Sequence, residues 1–455
     1  MERICTMNQN GSVTKQMLNG AKKAYGESPA KKIAGSVILN GINNTSRRQE
    51  SIVNMHQVFS DEIDTLEITN QKKSGRCWIF AGMNVLRYHL SQTLGLRDKN
   101  FELSQPFLMF FDKLEKANYF LETVIETAAE PRDGRMVMWQ FQSLMQDGGQ
   151  WDMLVNLIKK YGVAPKYTMP ESFHSSESAG MNAILIKKLR KDGAMLRRMI
   201  ARGETAGAVL AEKEKMVAEI YGMLCCFLGE PPETFNFEYR DKDNAFHRDA
   251  NLTPLGFFQK YIGEELIDSY VSVINAPTQD KPYGKTYTVK YLGNVVGGKP
   301  VVYLNLESDQ LADMARRQVQ SGAPVWFGCD VGKMQESKLG ILDTALYDYE
   351  AILNADLSMT KEDMLDYGHT FLTHAMTLVA VDVEDGKIKK WKIENSWGDE
   401  VGEKGFFVMS QDWFRLYTHQ VVVQKKYLTA EQLKALETEP VELKPWDPIG
   451  SLATR

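Results

Sequence analysis

The sequence predicts an α+β fold with helices and strands in separate layers. Three observations carry that expectation. The chain has 455 residues, 43% hydrophobic and 25% charged, which are ordinary globular proportions. Apolar residues recur at the helical period through the first half, whereas from residue 296 short β-branched and aromatic runs dominate. Helices first and strands later point to segregated layers rather than an alternating α/β sheet.

Taken in order, the chain opens with a polar, irregular stretch over 1–60 that holds a helix near 13–26. Residues 77–90 read as a helix, with Ile79, Met83, Leu86 and Leu90 on one face and Ser74 in N-cap position. Further helices follow over 105–121 and 151–161, the latter starting after Gly148-Gly149 and ending at Gly162. Residues 173–295 differ in character, with one or two long helices and then an irregular, aromatic, Pro-rich stretch. Strands are expected at 301–304, 325–328, 376–381, 391–393 and 406–409, with one helix over 307–320 between them. No internal repeat or low-complexity tract is visible.

Composition narrows the function classes. Lys and Arg number 54 against 59 Asp and Glu, a net charge of −5, which argues against a globally basic nucleic-acid binder. One basic run (Lys187, Lys188, Arg190, Lys191, Arg197, Arg198, Arg202) leaves nucleic acid as a weak partner candidate, with a solvated helix face as the simpler reading. Five cysteines at low density, with no zinc-like spacing, predict a reducing compartment, no disulfide framework and no metal. Cys225-Cys226 reads as a pair of buried free thiols. The start MERICTMNQNGS lacks an apolar signal core, and no stretch is long and apolar enough for a membrane span.

The candidate chemistry centres on Cys77. It follows a Gly-bearing turn, Gln71 to Arg76, that feeds into the helix. A thiol at a helix N-terminus feels unsatisfied N–H groups, which lowers its pKa and favours the thiolate. A backbone N–H there and the Gln71 amide could together form an oxyanion hole. A thiolate nucleophile needs a base. Of the seven histidines, His374 opens a buried strand and so sits on a rigid element, while His369 competes from a loop after Tyr367-Gly368. His56, His89, His174, His247 and His419 read as surface or satisfied polar residues. Asn395, in Glu394-Asn-Ser-Trp-Gly398, can fix the imidazole tautomer, and Trp397 can shield that hydrogen bond from water.

In the order Gln71, Cys77-Trp78, His374-Ala375, Asn395-Ser-Trp-Gly398, the chain resembles papain-like cysteine peptidases. Asp147-Gly148-Gly149-Gln150-Trp151-Asp152 resembles their Gly-Gly substrate wall, and Gly322-Ala323-Pro324-Val325 and Gly405-Phe406-Phe407 resemble further landmarks. The wording at 148–153, Leu372-Thr-His-Ala-Met376, the large insertion and the ending Trp446 to Ala453 are similar to the bleomycin hydrolase and bacterial aminopeptidase C branch.

The resemblance implies a helical left domain with the nucleophile (60–172) and a β-barrel-like right domain with His374 and Asn395 (296–426). It also implies an N-terminal arm (1–59), a mostly helical insertion serving oligomerisation (173–295) and a tail reaching the cleft (427–455). It implies a cytosolic, cofactor-free aminopeptidase forming homohexamers, with no membrane partner. Peptides with a free N-terminus would bind along Gly148, Gly149 and Trp397, their α-amino group met by the tail carboxylate near Ala453.

The tail departs from the family pattern, because Gly450-Ser-Leu-Ala453 is followed by Thr454-Arg455. Two extra residues would push the carboxylate past its usual place or put Arg455 in the cleft, unless they are trimmed. An endopeptidase or oligopeptidase using the same site is therefore the alternative. A ring-shaped binding protein, acting through the basic run, is a third reading.

Overall fold

The structure, a computed structural model, describes residues 11–452. It combines helices with one large mixed sheet, the α+β arrangement expected. The principal helices are α1 (Lys15–Glu27), α2 (Ala30–Asn40), α3 (Cys77–Leu94), α4 (Gln105–Glu126), α5 (Trp151–Tyr161), α6 (Ala179–Ala201), α7 (Ala206–Leu228), α8 (Ser308–Gln320) and α9 (Lys361–Asp366). The arm before residue 60 is more helical than expected, since α2 and two shorter helices follow α1.

Local chemistry explains several boundaries. Ser104 Oγ accepts from Phe107 N at 3.2 Å and Thr205 Oγ1 from Ala208 N at 3.2 Å, satisfying orphan donors at the starts of α4 and α7. Gly162 ends α5 at φ +79°, where an added Cβ would lie 2.2 Å from the Pro254 backbone. The N-cap of α3 is Arg76, without a side-chain cap, and not Ser74. Ser74 Oγ is engaged by Gln71 O at 2.6 Å and Arg76 Nε at 2.9 Å, so its hydroxyl serves the turn instead.

The described residues form a twelve-stranded sheet. Its longer strands are β1 (Tyr270–Ile274), β2 (Thr286–Val289), β3 (Tyr303–Asn305), β4 (Val325–Cys329), β5 (His374–Glu384), β6 (Lys387–Glu394), β7 (Phe406–Ser410), β8 (Thr418–Gln424) and β9 (Val441–Leu443). They lie in the order β9-β2-β3-β1-β8-β4-β5-β6-β7. The segment read as a mostly helical insertion, 173–295, thus holds four strands: β1 and β2 of the large sheet and a separate antiparallel hairpin, 235–240 with 246–252. The period-two signal of β1 is hidden because it is buried at every position.

Two apolar cores flank the cleft. One joins α3, α4 and α5 to the insertion helices through Leu86, Phe107, Leu154, Leu189 and Leu224. The other lies between α8 and the sheet, around Leu311, Phe327, Trp391 and Phe414. The nucleophile helix bridges them: Trp326 Nε1 on β4 donates to Trp78 O at 3.2 Å, and Thr377 Oγ1 on β5 to Ala81 O at 3.4 Å.

The insertion's basic run is largely spent within the chain. Lys188 pairs with Asp192 and Glu219, Arg190 donates to Phe141 O, and Arg197 to Thr127 O and Glu130 O. Cys225 and Cys226 are not the buried pair expected: Cys225 is half-buried against the core, and Cys226 is exposed because the core-facing positions of that turn are Leu224 and Leu228. Among the described residues no helix is long and apolar enough to cross a membrane.

Candidate active site

Cys77 is the first residue of α3 and is fully buried. The turn before it is pinned through Gln71. The Gln71 backbone N–H donates to Ser396 O at 2.8 Å, and its Oε1 accepts from Ser396 Oγ at 2.7 Å. Its Nε2 donates to Ser74 O at 2.6 Å. A primary amide has two N–H groups, so the second can serve a bound oxygen. Gln71 and Asn395 therefore belong to one hydrogen-bonded unit, through Ser396.

The expected depression of the Cys77 pKa is not what the surroundings produce. Burial pushes the thiol up to about 12, while backbone N–H groups of Ala375, Trp78 and Cys77 itself oppose the rise. Nearby Asp147 adds to the rise. A helix N-terminus is worth too little to overcome complete desolvation. The contact with Ala375 also places the sulfur beside His374, the preceding residue.

His374 starts β5, opposite Cys329 of β4. Its Nε2 lies 2.9 Å from Asn395 Oδ1, and that oxygen also accepts from Ser396 N at 2.8 Å. An oxygen there requires the ring to carry its hydrogen on Nε2. Proton exchange then falls to Nδ1. Both residues are fully buried, and the Trp397 ring lies 4.9 Å from the imidazole, centroid to centroid. His369 is exposed and takes no part.

Gly148 and Gly149 are buried beside the nucleophile's neighbour. An added Cβ on Gly149 would lie 2.5 Å from the Trp78 ring, so only glycine allows this approach. Trp78 Nε1 donates to Asp147 O at 2.7 Å. Beneath the glycines, Lys116 Nζ donates to Gly148 O at 2.7 Å, to Gln146 O at 3.0 Å and to Asp112 at 2.7 Å. The sequence reading missed Lys113 and Lys116, whose i,i+3 placement in an amphipathic helix reads as surface.

The last described residues line a cavity of about 480 Å³ between Phe120, Trp139, Tyr291, Phe371, Trp446 and Leu452, whose walls include Lys116 and Gln146 but neither Cys77 nor His374. The tail is fastened at three points: Arg135 stacks 4.0 Å from the Trp446 ring, Lys281 pairs with Asp447 at 3.1 Å, and Gln150 Nε2 donates to Ser451 O at 2.6 Å. Ala453, Thr454 and Arg455 lie outside the described residues, as does Cys5. No cluster of metal-ligating side chains occurs among the described residues.

The Peptidase C1-like family model matches residues 12–450, and the chain belongs to that family. The resemblance to papain-like peptidases of the bleomycin hydrolase and aminopeptidase C branch is thereby borne out. The chain is 48% identical to Aminopeptidase C of Listeria monocytogenes over 443 residues, 97% of this chain and 99% of that protein. It is 48% identical to Aminopeptidase C of Streptococcus thermophilus over 424 residues, covering 93% and 95% of the two chains. The crystal structure of PepW from Lactobacillus rhamnosis superposes with a TM-score of 0.96 at 48% identity, covering 98% of this chain and 100% of that one.

Proposed function

We propose that the chain is a cysteine aminopeptidase that releases N-terminal residues from short peptides through a thioester on Cys77. The observation that carries this reading is the buried His374–Asn395 hydrogen bond beside a thiol that starts a helix. Because burial holds the thiol protonated, attack requires Cys77 to pass its proton to His374 Nδ1. The sulfur adds to the substrate carbonyl, and Gln71 Nε2 with the Cys77 backbone N–H receives the developing oxyanion. His374 then protonates the leaving amine, and water hydrolyses the thioester. Asn395 keeps the imidazole oriented, Gly148 and Gly149 hold the extended substrate, and Trp397 keeps water from the His–Asn bond. No cofactor enters these steps.

In favour of exopeptidase action, the tail is held beside the Gly148-Gly149 segment through the Gln150–Ser451 hydrogen bond, where it would obstruct longer peptides. The name Aminopeptidase C of the similar proteins agrees. The endopeptidase alternative rests on Thr454-Arg455. The assembly we propose is a homohexamer. In its favour, α1 and α2 bury none of their residues within the chain, and helices this short are marginal unless packed. A reducing, cytosolic setting would keep Cys77 a thiol.

Replacing Cys77 by Ser tests the assignment. Peptide hydrolysis should vanish while folding is retained, and the wild-type rate should be bell-shaped in pH, since one group must give a proton and another must hold one. Turnover surviving in C77S would place the nucleophile elsewhere.

A further inference from the structure

Asp147 stands where four segments meet. Its Oδ2 accepts from the Gly75 backbone N–H at 3.0 Å and from Ser178 Oγ. Its Oδ1 accepts from Lys113 Nζ at 2.5 Å and Asn182 Nδ2 at 2.7 Å. Gly75 lies two residues before Cys77, Lys113 is on α4, and Ser178 and Asn182 begin the insertion. The acid is well enclosed, its side chain only 9% exposed. Burial pushes its pKa up, but the Lys113 ammonium and the hydrogen bonds from Lys113, Ser178 and Asn182 outweigh that and hold it well below the usual carboxylate range.

Other contacts run between the same two segments. Lys73 N donates to Ser176 O at 2.8 Å, and Ser178 N to Lys73 O at 3.4 Å. Arg76, itself buried, pairs with Glu171 at 3.0 Å. The turn from Gln71 to Cys77 is therefore gripped on one side by Ser396 and on the other by the start of the insertion. Nothing in the thioester chemistry requires an acid here. Asp147 even works against it electrostatically, because its charge raises the Cys77 pKa. Its hydrogen bonds to Gly75, Lys113, Ser178 and Asn182 give the carboxylate a geometric task.

We propose that Asp147 is a positioning residue for the nucleophile. Held by Lys113 and by the insertion residues Ser178 and Asn182, it fixes the Gly75 N–H and with it the turn that presents Gln71 and Cys77. The insertion then shapes the catalytic centre as well as the assembly. This rests on the proposed role of Cys77.

The test uses the full-length enzyme, with active sites counted by a thiol-alkylating inhibitor. In D147N, kcat per titrated site should fall about 10- to 100-fold, the scale of a misplaced reacting group. The acid limb of its kcat/KM profile should also move to lower pH, because a negative charge that favours the protonated form of the Cys77–His374 pair is gone. S178A/N182A keeps that charge, so its kcat should fall while the acid limb stays. A purely structural role would reduce the folded fraction and leave both readouts per site unchanged. If D147N does not accumulate as folded protein, the double variant decides alone. Folded variants with kcat within about two-fold of wild type would overturn the proposal. Retained turnover in C77S would instead defeat the nucleophile assignment, so the two failures are distinguishable.

Discussion

Burial decides what each active-site residue can do. A thiol at a helix start in water would gain thiolate from the N–H groups around it, but Cys77 is shut away and its pKa rises to about 12. In the proposed mechanism the base must therefore act, and the Asn395 Oδ1 on Nε2 leaves Nδ1 to do so. The same enclosure makes the Gln71 donor valuable, since a hydrogen bond to a developing charge is stronger without competing water. Q71A should lower kcat by about 10²–10³-fold. KM should change little, because the interaction strengthens only as the oxyanion forms. Steady-state kinetics of the folded variant check this, and a change confined to KM would remove Gln71 from the oxyanion hole. That Gln71, Cys77, His374 and Asn395 are candidates for one site was legible in the sequence because each has a distinctive flank, and the structure brings them together. The Ser396 bridge was not, since nothing local marks a serine for a partner 325 positions away.

At the scale of elements, the nucleophile helix and the strand carrying the Asn loop are joined by Arg87 and Glu394. They pair at 2.8 Å with side chains 1% and 4% exposed. Truncating one partner strands a buried charge, so R87M should destabilise the fold by roughly 3–5 kcal/mol in denaturant unfolding. A loss below about 1 kcal/mol would mean the pair is not buried in solution. Lys361 offers a pH signature. It starts α9, and its Nζ donates to Arg415 O and Thr418 O at 2.9 and 2.6 Å. Burial lowers its pKa from 10.5 to about 7. Between these values the unfolded chain binds the proton more tightly than the folded one, so this group makes stability rise from about pH 7 to pH 10. In K361M that slope should flatten, and an unchanged slope would show that Lys361 keeps its charge when folded. Helices α3 and α5 were legible because their apolar spacing and glycine boundaries agree. Strand β1 was not, as a fully buried strand has no alternating pattern.

The whole molecule is a catalytic centre with material around it that serves more than one purpose. Composition argued against a disulfide framework and a globally basic nucleic-acid binder, but how the segments outside the candidate site are arranged needed the structure. The segment 173–295 reaches the Gln71–Cys77 turn through Ser176 to Asn182, and Trp446 to Leu452 line a neighbouring cavity. The N-terminal arm makes the opposite impression, with Ile38 and Leu39 exposed at 80% and 84%. In the proposed assembly, deleting residues 1–40 should therefore reduce the number of subunits per particle in sedimentation while the fold survives. A deletion variant with an unaltered subunit number would remove the arm from the assembly. Action of one cysteine site on peptides with a free N-terminus is decided by comparing kcat/KM for a free-amine aminoacyl amide and its N-acetylated form, using enzyme whose C-terminal mass is verified. The free amine should be preferred by about 100-fold, the scale of one lost charge-assisted contact. Equal or faster cleavage of the acetylated substrate would contradict it.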